Sequence, residues 1–255
     1  MTDQLEALTT SVRRLHEIAA PLNPAQLDEQ TYPSEWSVAQ TLSHVGSGAV
    51  IMRARIDDIL AGVETDEGLA PSVWDEWNAK TPEAMRTDAL AADAALVERL
   101  ASMTADERAG FRFQMGPMDL DFDGLVAIRL SEHAVHTWDV EVTFDPSAPV
   151  APTSAAIVVD NLAMLAGFTG KAIGSARDVH VHTTDPERDV TLAFTADGVS
   201  LQDGGSDGPA DLELPAEAFI RLIYGRLDVD HTPASVSGTG GAGLLAELRE
   251  AFPGF

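Results

Sequence analysis

The chain has 255 residues, 45% of them hydrophobic, with 16 basic against 41 acidic side chains and a formal charge of −25. That length allows one large domain or two ordinary ones, and so acidic a surface repels phosphate backbones and anionic lipid, which argues against nucleic-acid and membrane partners. The absence of cysteine excludes disulfides, thiolate metal sites and a protein-borne thiol nucleophile. The acidic start Met1-Thr2-Asp3-Gln4-Leu5-Glu6 has no basic region, and no stretch is long and apolar enough to span a bilayer, so a soluble cytoplasmic protein is expected.

Leu5, Leu8, Val12, Leu15 and Ala19 recur at helical spacing and predict a first helix from Asp3 to about Ala20, ended by Pro21 and Pro24. A short helical turn can follow within Pro24 to Gln30. Ser37-Val38-Ala39-Gln40 is a capping box that opens a second helix, which stops at Gly62. His44 lies on the flank of its apolar stripe and, taken alone, reads as a partly exposed helix histidine. Gly46, Ser47 and Gly48 follow; they weaken the helix but leave room for a neighbouring helix or a ligand. A long connection to Lys80 carries a short helix over about Val73 to Asn78, where Trp74 and Trp77 clamp it to the core or cover a site. Thr81 caps a third helix, with Pro82 in its first turn and a stripe from Met85 to Met103. Thr104 to Asp121 reads as an irregular apolar segment.

A fourth helix runs from about Asp123 to Val142. Leu125, Ile128 and Val135 share one side of it, and Glu132 and His136, four residues apart, fall on the same side. Such a pair needs a partner if buried, either a metal ion or a hydrogen bond between the two, although a lone inward histidine is most often a satisfied core residue. Asp145 to Pro152 carries Pro146, Pro149 and Pro152 and marks a boundary. Beyond it come one helix over Ser154 to Phe168, then strands at Val179–His182, Val190–Phe194, Val199–Leu201 and Ala210–Leu214. Asp197-Gly198 signals a hairpin. A helix from Pro215 to Tyr224 ends at Gly225, Val236 and its neighbours can add a strand, and a last helix spans Leu244 to Phe252. His180 and His182 share a strand face but lack a third metal ligand nearby in sequence. The expected fold class is α+β: a four-helix bundle over 1–146, then a smaller α+β domain with a mainly antiparallel sheet over 153–255.

Three segments together carry a resemblance: Trp36 to His44, Glu132 to Val140, and Tyr224-Gly225-Arg226-Leu227-Asp228. In order and spacing the chain resembles the mycothiol-dependent maleylpyruvate isomerase family. That family has a DinB-like bundle followed by a domain similar to sterol-carrier folds. The resemblance implies a divalent metal, typically zinc (Zn2+), held by His44, Glu132 and His136. His133 is a competing ligand but points about 100° from Glu132, and Asp139, one turn beyond His136, can orient an imidazole. The resemblance further implies an enzyme in which mycothiol, a low-molecular-weight thiol, attacks a small electrophile, as a transferase or cis–trans isomerase. The alternative is a non-catalytic metal- or small-ligand-binding protein of the same fold. A metal-activated hydrolase lacks an identifiable general base. Arg226 either completes a helix terminus or pairs with a carboxylate of the thiol or the substrate, with Arg221 as its alternative. An anionic substrate would need such a local positive patch, from the metal, Arg226 or Arg129.

Overall fold

A computed structural model describes residues 3–116, 118–174, 176–205 and 208–254, so Met1 and Thr2 of the acidic start lie outside the described residues. The chain divides into two compact units, Met1–Ala148 and Pro149–Phe255. Among the described residues no helix is long and apolar enough to cross a membrane.

The first unit is built on α1 (Asp3–Ala19), α2 (Pro24–Leu27), α3 (Val38–Ala61), α4 (Leu69–Asn78), α5 (Pro82–Ser102), α6 (Ala105–Gly110), a hairpin of β1 (Phe113–Met115) and β2 (Met118–Leu120), and α7 (Phe122–Val142). Local chemistry sets the helix ends. Ser37 and Gln40 close a reciprocal capping box at the start of α3, and Gly62 ends it in the left-handed conformation. Thr81 caps α5 through the Ala84 amide, and Asp121 caps α7 through that of Gly124. The four long helices close a ring in the order α1–α5–α3–α7: α1 packs on α5 and α7, and α3 packs on the same two. Leu15, Leu27, Val38, Leu42, Ala89 and Val140 meet in the core between them.

The segment expected to be irregular, Thr104 to Asp121, is instead ordered as α6 and the hairpin. Thr104 and Glu107 form a capping box at α6, and Met115 pairs with Met118 across the hairpin. Phe111 and Phe113 are buried, which explains the apolar composition of this stretch.

The second unit holds α8 (Pro152–Val158), a 3₁₀ turn (Val159–Asn161), α9 (Ala163–Thr169), β3 (Arg177–Thr184), β4 (Arg188–Thr195), β5 (Gly198–Asp203), β6 (Leu212–Pro215), α10 (Ala216–Ile223) and α11 (Gly241–Ala251). The single helix expected over Ser154 to Phe168 is thus broken. The Asn161 side chain donates to the Ile157 carbonyl at 2.8 Å, a local bond that competes with the helix ladder at the break. The sheet order is β5-β4-β3-β6, antiparallel except for the parallel pair β3–β6. Val179, Val181, Val190, Leu192, Phe194, Leu212 and Leu214 form its buried face, and α9, α10 and α11 pack on the sheet. The strand expected near Val236 is reduced to one bridge between Glu213 and Ser237. Fold class and chain order are those read from sequence: a helical bundle, then a smaller unit with a mainly antiparallel sheet.

Candidate metal centre

His44 comes from α3, and Glu132 and His136 come from α7, adjacent helices of the ring. One ligand atom from each lies within 4.8 Å of the others, and among the described residues no other group of three His, Asp or Glu side chains is so placed. Glu132 Oε2 stands 3.8 Å from His44 Nε2 and 3.7 Å from His136 Nε2. Both separations exceed ordinary hydrogen-bond length. They lie near the roughly 3.4 Å expected between two ligands of a tetrahedral zinc at ordinary bond lengths. The His44 and Glu132 side chains are each 43% exposed and His136 is 10% exposed, so the cluster opens to solvent on one side. Glu132 is therefore not a core residue, although it shares a side of the helix with apolar neighbours. The half-buried Trp36 ring forms a wall, its centroid 5.0 Å from the His44 ring and 6.2 Å from that of His136.

His136 is oriented by Asp139, which lies fully buried, its Oδ2 2.9 Å from His136 Nδ1. That bond leaves Nε2 facing Glu132. Burial opposes charge on Glu132, yet His136 and then His44 beside it hold its carboxyl well below the usual carboxylate range. Burial likewise lowers His136, but Asp139 and Glu132 outweigh it and raise the imidazole above its ordinary value.

The competing ligand His133 is turned away from the cluster toward Ser11 and Asp93 and is fully buried. Its Nδ1 lies 2.8 Å from Ser11 Oγ and its Nε2 3.2 Å from Asp93 Oδ2. Asp93 also accepts from Arg129, whose Nη2 lies 2.6 Å from Oδ1. Burial raises the Asp93 carboxyl, but His133 and Arg129 bring it below its ordinary value. Serine, histidine and aspartate in line resemble a nucleophilic triad, but Ser11 is only 2% exposed, so no substrate reaches it. Arg129, considered above as part of a positive patch, is itself 5% exposed and committed to this network.

The small residues after His44 make room for protein. A Cβ on Gly46 would lie 2.5 Å from the Trp77 ring and 2.6 Å from the Ala89 backbone, and one on Gly48 would lie 3.2 Å from Arg129 Nη1. Trp77 is buried there, while Trp74 is 50% exposed.

In the second unit, Arg226 is buried rather than exposed, and its Nη1 donates to the Tyr224 carbonyl at 2.7 Å, just past the end of α10. Arg221 makes a two-point ion pair with Glu217 and donates to the His231 carbonyl. His180 and His182 face away from the sheet's buried side, bonded to Thr191 and Asp189 on β4.

Fold and site define a class: a helical bundle carrying a cluster of two histidines and one carboxylate, followed by a small α+β unit. Residues 8–141 match the family model described as the mycothiol maleylpyruvate isomerase N-terminal domain, and the chain belongs to that family. Two solved structures share the fold at 12% identity. One is of the mycothiol-dependent maleylpyruvate isomerase, with a TM-score of 0.66 over 94% of each chain. The other is of a histidine-to-alanine mutant of that isomerase, with a TM-score of 0.64 over 89% of this chain and 90% of the other. No curated protein matches the chain.

Proposed function

We propose that the protein is a metal-dependent enzyme that turns a small thiol, mycothiol, on a small electrophile, as a thiol S-transferase or a maleylpyruvate-type cis–trans isomerase. The observation that carries this reading is the close approach of His44, Glu132 and His136, with Asp139 fixing the ring of His136, in a member of this family. Two imidazoles and a carboxylate suit zinc or another divalent ion, and three protein ligands are the pattern of a catalytic rather than a closed structural site. When bound, the metal supplies a Lewis-acidic position at which a thiol is held deprotonated near neutral pH.

The chain's own residues prepare that position. Asp139 accepts the Nδ1 proton of His136 and so keeps the Nε2 lone pair directed at the cluster. Glu132 stays ionised because the imidazoles hold its proton affinity down. Trp36 excludes water from one side. With no cysteine in the chain, the sulfur must come from the cosubstrate. In a transferase, sulfur displaces a leaving group at carbon. In an isomerase, sulfur adds to a conjugated double bond, the resulting single bond rotates, and loss of the thiol restores the double bond in the trans form. We assign Arg226 to a carboxylate of the thiol or the substrate, a group its planar guanidinium matches. The reading places the protein in the cytoplasm, where low-molecular-weight thiols are kept reduced.

Calorimetry tests the reading. Protein loaded with zinc should take up one equivalent of mycothiol, and metal-stripped protein should take up none. His136→Ala and Glu132→Ala should each lose stoichiometric metal. Failure of the zinc form to bind mycothiol would overturn the catalytic reading, and tight metal binding by either variant would overturn the ligand assignment.

A further inference from the structure

The three candidate ligands come from two helices, so their spacing is only as fixed as the placement of α3 against α7. Arg129 lies on α7, three residues before Glu132, and reaches across to α3. Its Nη2 donates to the carbonyl of Val45, the residue after His44, at 2.9 Å. The same nitrogen meets Asp93 Oδ1 on α5 at 2.6 Å, and the other Asp93 oxygen meets the ring of His133, the residue after Glu132, at 3.2 Å. One carboxylate–guanidinium pair is therefore bonded to the immediate neighbour of a ligand on each helix.

We propose that Asp93 and Arg129 form a positioning pair that sets the distance of His44 from Glu132 and His136. The proposal rests on the metal-ligand reading of those three residues. Four features set the pair apart from ordinary core packing. A carbonyl in the middle of α3 already accepts the amide four residues on, so Val45 does not need Arg129 to satisfy it. A buried ion pair is seldom the most stable filling for a core compared with apolar side chains of like volume. Arg129 Nε is in addition buried with no hydrogen-bond partner among the described residues, a cost that packing alone would not select. Finally, α3 carries glycine at position 48, where a Cβ would press on Arg129 Nη1 at 3.2 Å. The backbone is thus shaped to admit the guanidinium at the height of the cluster.

The test compares the parent protein, Arg129→Met, the volume-matched double variant Asp93→Leu/Arg129→Met, and Leu8→Ala as a control for general core damage. Leu8 is fully buried on α1, a helix that carries neither the candidate ligands nor the pair. Crystal structures of the metal-free proteins report the separation of His44 from Glu132. Competition against a chromophoric chelator reports zinc affinity, and the absorption bands of the cobalt-substituted forms report coordination geometry. We expect both Arg129 variants to change the metal-free separation, to bind zinc at least about tenfold more weakly and to alter the cobalt bands, an effect of the size usual for supporting residues around a metal. Leu8→Ala should keep affinity and bands even where its melting temperature falls as far. If Arg129→Met does not fold, the double variant, which leaves no unpaired charge, decides the matter. An unchanged separation, with zinc affinity no lower than in the control, would overturn the proposal. Should the parent itself bind no zinc, the metal reading falls, and the metal-free separation alone decides whether the pair positions the cluster.

Discussion

The proton affinities of His136 and Glu132 are shifted in opposite directions, and that difference decides when the cluster can take a metal. Metal binding needs the imidazole neutral, and Asp139 and Glu132 raise its proton affinity above the ordinary value of about 6.5. Glu132, lowered by both imidazoles, is already ionised throughout this range. Zinc affinity should therefore climb as pH rises from about 6.5 through the raised value of His136, with no contribution from Glu132. In the metal-free protein the sign reverses. A raised histidine gives stability that is complete below about 6.5 and lost as pH rises through its folded-state value. Chelator competition and thermal melts of the metal-free form over the same pH series should show these opposed slopes; parallel slopes would refute the account. Much at this scale was legible. The four-residue spacing put Glu132 and His136 on one side, and the angle from Glu132 turned His133 away. Asp93 and Ser11 were not legible, because they meet His133 across 40 and 122 residues of sequence and nothing local marks them.

Elements with their own punctuation were legible and those fixed by distant contacts were not. The capping box at Ser37 and the glycine at position 62 bounded α3 almost to the residue. The same signal at Thr104 and Glu107 was present in the sequence, but the glycines and the phenylalanines around it suggested irregular chain. The ring order of the helices depends on which long connection passes over which helix, and no local pattern encodes that. Gly46 shows how tightly the order is enforced, since α5 and Trp77 approach α3 more closely than any Cβ permits. Gly46→Ala removes a helix-weakening residue yet forces these elements apart. We expect a net loss of about 1–3 kcal/mol, the usual range for overpacking, measured by urea denaturation. A gain in stability would mean that the contact yields easily.

At the scale of the whole molecule, a charge of −25 offers an anionic electrophile no general attraction, so recognition has to be local. Arg226 is our assignment for that role. A charge-assisted bond lost from a carboxylate is worth about 1.5–3 kcal/mol. Arg226→Ala should thus lower kcat/KM for a carboxylate-bearing electrophile by about ten- to a hundredfold, while a neutral alkylating reagent reacts nearly as before. Equal losses on both substrates would mean that Arg226 serves only to hold the end of α10, where it bonds the Tyr224 carbonyl.

The placement of His44 on α3 and of Glu132 and His136 on α7 has a consequence in polymer terms. An ion bound to all three would tie together positions 44 and 132, separated by 88 (132 − 44) along the chain, closing a loop that contains α4, α5, α6 and the β1–β2 hairpin. A bridge that the folded chain holds and the unfolded chain lacks shifts the unfolding equilibrium by mass action. At free zinc one hundred times its dissociation constant, the expected gain is about 2.7 kcal/mol, rising by about 1.4 for each further decade. The melting temperature should therefore climb steadily with the logarithm of zinc concentration well past saturation of the site, and His44→Ala should flatten that climb. The ion would then be a removable cross-link of the bundle as well as a reagent.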